Sequence, residues 1–152
     1  MQCHTYPLGT LKQYKYVVVL SQYNGKLLLS RHKERATWET QGGHIEAGET
    51  PLAAARRELY EESGALAYQI EPAFDYRAGD DQSGANGMVF VASISSLGQM
   101  PQSEMAQTAL FDKLPPQLTY PAITPILFDE AARLDLLQKA GATTDDKGGN
   151  AL

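Results

Sequence analysis

The segment GHIEAGETPLAAARRELYEESGA, running from Gly43 to Ala65, changes character at Thr50. Thr50 is a good N-cap, because its hydroxyl can accept from a first-turn N–H, and Pro51 suits the first helical position. Leu52 to Ser63 contains only good or tolerable helix formers, and Gly64 ends the run because glycine takes left-handed backbone angles without strain. At about 100° per residue with Glu58 as origin, Glu61 falls near −60° and Glu62 near +40°, so three carboxylates share an arc of roughly 100°. Leu52, Ala55 and Leu59 lie together beside that arc. The helix should bury one edge and line its rim with acid.

Such an arrangement needs an offsetting charge. Like charges at i,i+4, as at Glu58 and Glu62, cost about 0.2–0.5 kcal/mol on an exposed helix, and Glu61 adds to the repulsion. Arg57 is one candidate; a hard divalent cation is a better one, since Mg²⁺ prefers carboxylate oxygen and keeps water in its remaining positions. Ala54 and Ala55 border the arc and are expected to leave room for metal and phosphate. A solvated acidic face is the competing reading of an arbitrary Glu-rich helix.

The spacing decides between them. Gly43, five residues, Glu49, seven residues, Arg57-Glu58-Leu59-Tyr60-Glu61-Glu62-Ser63-Gly64-Ala65 resembles the defining box of the Nudix superfamily at all seven fixed positions. With each residue type used at about 7%, chance gives such a match about once in a million. Ala65 is a smaller aliphatic than is usual at the last position.

The resemblance implies an α+β protein, a mixed sheet in an αβα sandwich, with the box as a loop–helix–loop. It implies Mg²⁺, with Mn²⁺ as an alternative, on Glu58, Glu61 and Glu62 and on the backbone carbonyl of Gly43 or Gly42. Glu49 and Arg57 would hold loop and helix in register. The reaction would be water attack on a phosphoanhydride bond of a nucleoside triphosphate or another nucleoside diphosphate-X compound, with MutT-like cleaning of the nucleotide pool as one form. Glu61 or Glu62 would serve as base, or else Glu104, which resembles a loop glutamate that serves in some relatives ahead of the last core strand.

Upstream, Trp38-Glu39-Thr40-Gln41-Gly42-Gly43 departs from the aromatic and proline common in relatives, so nucleobase preference does not transfer. Trp38 either stacks on a base or belongs to the core, and His32, Lys33 and Arg35 either meet a phosphate or form a solvated turn. Of these, Arg35 and Trp38 are the substrate-binding candidates. Two other functions remain: a prenyl diphosphate isomerase-like Nudix enzyme, for which the lone Cys3 is a poor catalytic thiol, and a non-enzymatic nucleotide-binding module, disfavoured by the complete acidic set.

Elsewhere, Tyr16–Leu20 and Lys26–Ser30 are strand-like runs joined by Asn24-Gly25, a hairpin turn signal. Leu66 to Tyr76 predicts a long strand with a bulge near Pro72, Met88–Ile94 another, and Ala78–Ala85 a polar loop between them. Leu110-Phe111 predicts a short strand, and Thr124-Pro125 starts a helix with Ile126, Leu127, Leu134 and Leu137 as its apolar stripe. Residues 1–138 are expected to form one domain and 139–152 a disordered tail.

The 152 residues are 43% hydrophobic and 20% charged, which suits a packed globular domain. A net charge of −5 and a pI near 5.1 disfavour a stable nucleic-acid complex or an anionic membrane partner, leaving a small-molecule nucleotide or diphosphate. One cysteine and no apolar leader point to the cytoplasm; a homodimer is an open option.

Overall fold

Asn24 and Gly25 take positive φ, 56° and 75°, as a two-residue type I′ turn requires, and join β2 (Tyr16–Tyr23) to β3 (Lys26–His32). The computed structural model describes residues 1–138. The other elements are β1 (Gln2–Pro7), β4 (Trp38–Glu39), β5 (Gln41–His44), α1 (Pro51–Ser63), β6 (Ala65–Gly79), β7 (Gly84–Leu97), β8 (Met105–Phe111) and α2 (Thr124–Arg133). The eight strands make one mixed sheet in the order β1-β6-β7-β2-β3-β4, with β5 also on β2 and β8 also on β3. Only β2 and β7 pair parallel; every other named pair is antiparallel.

Alternation along the central strands explains the layers. Val17 and Val19 of β2, Leu28 of β3, and Phe90, Ala92 and Ile94 of β7 face α1, where they meet Ala54, Ala55 and Leu59. Leu20, Leu29 and Val89, one residue out of phase, face the other way and meet Leu127, Phe128 and Ala131 of α2. A side-chain period of two therefore gives the sheet two apolar faces and requires a helix on each. The expected αβα sandwich is the observed fold.

Several local expectations are corrected. Ala54 and Ala55 do not leave space for metal; both are fully buried and let α1 approach the sheet closely. Leu52 is 41% exposed, so the buried edge of α1 is Ala54, Ala55, Leu59 and Ser63. On α2, Ile126 and Leu134 are exposed, Leu137 packs against the core from beyond the helix, and Phe128 takes the central place beside Leu127. The bulge near Pro72 is present as a register shift between Pro72 and Phe74. The polar loop is shorter than expected, since Ala78 still pairs with Ala85 and Gly79 with Gly84.

The last strand is seven residues long rather than two. β1 was not legible as a strand; it is held by pairing with β6, Gln2 opposite Gly79 and Pro7 opposite Phe74. The expected tail, 139–152, lies outside the described residues. Among those described, no helix is long and apolar enough to cross a membrane.

Candidate active site

Helix α1 begins and ends as its sequence requires. Thr50 Oγ1 accepts from Ala53 N at 3.1 Å, Pro51 occupies the first turn, and Gly64, at φ 79°, donates its N–H to Tyr60 O at 2.8 Å. These caps fix the rotation of the acidic face relative to β5, the strand that carries Gly42 and Gly43.

Both positions favour glycine, for different reasons. A Cβ on Gly42 would collide with the Val17 carbonyl across the β2–β5 ladder, and one on Gly43 would collide with the Glu58 carboxylate. The Gly42 N–H donates to Glu62 Oε1 at 2.9 Å, and Ser30 Oγ donates to the Glu62 carbonyl at 2.7 Å. Ser30 in turn accepts from Gln41 Nε2 at 3.0 Å. Both ends of Glu62 are thus tied to the sheet. The sequence marks neither Ser30 nor Gln41 as a site residue, although Ser30 interrupts an apolar strand; both are fully buried.

Burial pushes the Glu62 carboxyl up to about 8, and the neighbouring Glu58, Glu39 and Glu61 add to the rise against the opposing Gly42 N–H. Burial raises Glu58 as well, opposed by the adjacent Arg57 guanidinium. Glu58 and Glu61 are both within reach of Arg57 Nη1, at 3.2 and 3.4 Å. The same arginine grips Glu49 at two points, Nε to Oε2 at 2.7 Å and Nη2 to Oε1 at 2.9 Å, and donates to the His44 carbonyl at 3.1 Å. The hydrogen bonds from Arg57 hold the Glu49 carboxyl down at about 2.

Does this set suit a divalent cation? Among the described residues no three acidic or imidazole groups converge as a finished cage. Glu58 and Glu61 instead meet Arg57, at 3.2 and 3.4 Å. The donor chemistry nevertheless fits: Glu58, Glu61 and Glu62 offer hard oxygen, Glu62 is a part-buried carboxylate without a cationic partner among the described residues, and the missing Cβ of Gly43 is what gives the Glu58 carboxylate its place.

Glu58, Glu61, Glu62, Gly43, Arg35 and Glu104 all line one open cleft of about 1360 Å³. Arg35 is half-exposed and pairs with Glu39 at 3.3 Å; Glu39 also accepts from Thr119 Oγ1 at 2.8 Å. Glu104 stands immediately before β8 and accepts from His32, so His32 faces a carboxylate rather than forming only a solvated turn. Trp38 is not brought to the cleft. Its ring packs edge-on against Phe111, 5.1 Å between centroids, within the α2-side core. His44 directs its ring onto Tyr16, at 4.6 Å.

The chain is similar to known proteins in sequence and in fold. The family model described as NUDIX domain matches residues 12–112. An RNA pyrophosphohydrolase of Francisella philomiragia is 37% identical over 54 residues, which is 36% of this chain and 35% of that protein. YtkD of Bacillus subtilis, provisionally named an 8-oxo-dGTP diphosphatase, is 31% identical over 106 residues, 69% of this chain and 66% of that protein. The matched stretches thus span less than two thirds of these curated relatives. Among solved structures, a mutant of the Bacillus subtilis pyrophosphohydrolase BsRppH superposes with a TM-score of 0.69 at 25% identity, covering 88% of this chain and 87% of that one. A UDP-X diphosphatase superposes at 0.63 with 19% identity, covering 86% and 68%, a likeness of fold alone.

Proposed function

The chain belongs to the Nudix family, and from that premise we propose that it is a divalent-metal-dependent pyrophosphohydrolase acting on the triphosphate chain of a nucleotide. The observation that carries this reading is that Glu58, Glu61, Glu62, Gly43 and Glu104 all line one cleft. Of two relatives, one is named an RNA pyrophosphohydrolase and the other an 8-oxo-dGTP diphosphatase, whose named substrate is a nucleoside triphosphate. Net charge −5 favours a small nucleotide over a long nucleic acid, whose backbone would be repelled.

Glu58, Glu61, Glu62 and the Gly43 carbonyl would hold Mg²⁺ or Mn²⁺. When bound, the ion supplies neutralisation of phosphate charge and a more acidic water. Arg57, fixed by Glu49, keeps two of these carboxylates and the preceding loop in register. The Gly42 N–H and the Ser30 hydroxyl fix Glu62 from both sides. Arg35 lines the same cleft and offers a guanidinium to phosphate oxygen.

Glu104 takes the proton of the attacking water as the new P–O bond forms and the bridging P–O bond breaks; the phosphate or pyrophosphate leaves with the bridging electron pair. Glu104 suits this role because its carboxylate is exposed in the cleft and engaged by His32 rather than by an arginine. The isomerase alternative has no support at Cys3, which packs on the α2-side core and whose thiol burial pushes up to about 11.

The test is a panel of nucleoside triphosphates, 8-oxo-dGTP and a triphosphate-ended RNA oligonucleotide, with Mg²⁺ or EDTA and with phosphate and pyrophosphate both measured. Metal-dependent release from at least one is expected, and hydrolysis in ¹⁸O-water then locates the attacked phosphorus. No release from any of them by metal-loaded protein would overturn the reading.

A further inference from the structure

We propose that His32 is the positioning residue for Glu104, orienting its carboxylate in the cleft by donating from Nε2. This rests on Glu104 as the proton acceptor of the reaction just described. The ladder between β3 and β8 shifts register between Arg31 and His32, so that Arg31 lies opposite Gln107 and His32 opposite Met105. The residue passed over is Ala106, so the bulge lies in β8 and bends that strand just beyond Glu104. Here Arg31 turns onto Gln107, Nη2 to Oε1 at 2.8 Å, while His32 lines the cleft.

The tautomer follows from the ring's other contact. The backbone N–H of Glu34 donates to His32 Nδ1 at 3.1 Å. A ring nitrogen that accepts a hydrogen bond carries no proton, so the proton of the neutral imidazole is on Nε2. That atom lies 3.2 Å from Glu104 Oε2 and donates to it. A second tie runs between the main chains, Lys33 N to Glu104 O at 2.9 Å. The consecutive residues His32 and Lys33 therefore hold the carboxylate and the backbone of Glu104.

Exposure shows which partner orients the other. The His32 side chain is 17% exposed and that of Glu104 is 85% exposed. A glutamate so open to water would otherwise distribute among its staggered rotamers. With Oε2 tied by His32, one orientation is favoured and Oε1 remains to receive a proton.

His32→Leu and His32→Gln separate this role from mere packing. The Gln side-chain amide can reach the Nε2 position and donate, so His32→Gln should keep kcat within about threefold, whereas His32→Leu should lower it by roughly 10- to 100-fold with KM changed less than about threefold. In a Glu104→Gln background the His32→Leu change should add less than about twofold. Equal losses in the two His32 variants, or multiplicative losses with Glu104→Gln, would overturn the proposal.

A readout independent of turnover is ¹⁵N NMR of the wild-type imidazole. The Nε2–H form of His32 is expected, and the Nδ1–H form would overturn the proposal. A wild-type protein that hydrolyses no nucleotide refutes the hydrolase reading instead, and with it the proton-accepting role of Glu104 on which His32 depends; the NMR result separately decides the donor geometry.

Discussion

Arg57 and Glu49 meet in a two-point ion pair, 2.7 and 2.9 Å, that ties the loop before α1 to the face of the helix. A lysine cannot reproduce the forked contact. Arg57→Lys is therefore expected to reduce turnover by roughly tenfold or more, because Glu58 and Glu61 lose the same partner. The Glu49 carboxyl is depressed to about 2, so the stability it contributes is present above its unfolded value near 4.5 and is lost as pH falls through 2. Acid melts should show wild type more stable than Glu49→Gln above about pH 4.5, with the difference vanishing toward pH 2. Parallel curves down to that pH would refute the role given to the pair.

Glu62 has the opposite linkage. Its carboxyl is raised to about 8, so the metal-free fold is favoured while the group is protonated, below its unfolded value near 4.5; that advantage is lost as pH rises through 8. Thermal melts in EDTA should show Tm falling between about pH 5 and 9 in the wild type and a flatter profile in Glu62→Gln. Mg²⁺ should raise the wild-type Tm more at pH 8.5 than at pH 5.5. A metal shift that does not grow with pH would argue against binding at this carboxylate.

The two adjacent glycines should fail in different ways when changed to alanine. Gly42→Ala sets a methyl group against the backbone carbonyl of Val17, which the ladder cannot move, and should destabilise by about 1–3 kcal/mol in urea. Gly43→Ala sets it against the end of a side chain, the Glu58 carboxylate. That variant should keep more of its stability and require a higher metal concentration for half-maximal activity. The reverse pattern would contradict the placement of Glu58 over Gly43.

Trp38 is the only tryptophan, which makes its environment measurable. Because its ring packs on Phe111 and does not line the cleft, nucleotide binding should leave its fluorescence nearly unchanged. Trp38→Leu should lower Tm while KM stays within about threefold. Strong quenching by nucleotide would restore the stacking role.

What the sequence made legible was what depends on local spacing. The caps of α1, the turn at Asn24-Gly25 and the acidic arc all follow from residues within two or three turns of one another, whereas the Glu49–Arg57 register came from the resemblance to the Nudix box. Spacing alone misassigned Ala54 and Ala55, because a small side chain next to a functional face reads equally as space for a ligand or as close helix–sheet packing. Trp38 was ambiguous for a similar reason: alternation places it on a face without saying what covers that face, and Phe111 arrives from a distant strand. The link between His32 and Glu104 depends on a bulge and on β8 pairing with β3, neither of which leaves a periodic trace. Ser30 and Gln41 were visible only as polar interruptions, and their function required the position of the Glu62 carbonyl.

The parallel pairing of β2 with β7, Tyr16 beside Gly87 through Tyr23 beside Ile94, also bears on the order of assembly. During synthesis the β2–β3 hairpin and α1 can form as soon as they emerge, since their contacts are local. The middle of the sheet cannot close until β7 has left the ribosome, and until then the hydrogen-bonding edge of β2 stays open to water and to other chains. Long-range strand pairing of this kind slows folding and exposes nascent chains to aggregation. Refolding should accordingly be limited by docking β2 against the β6–β7 hairpin rather than by forming α1.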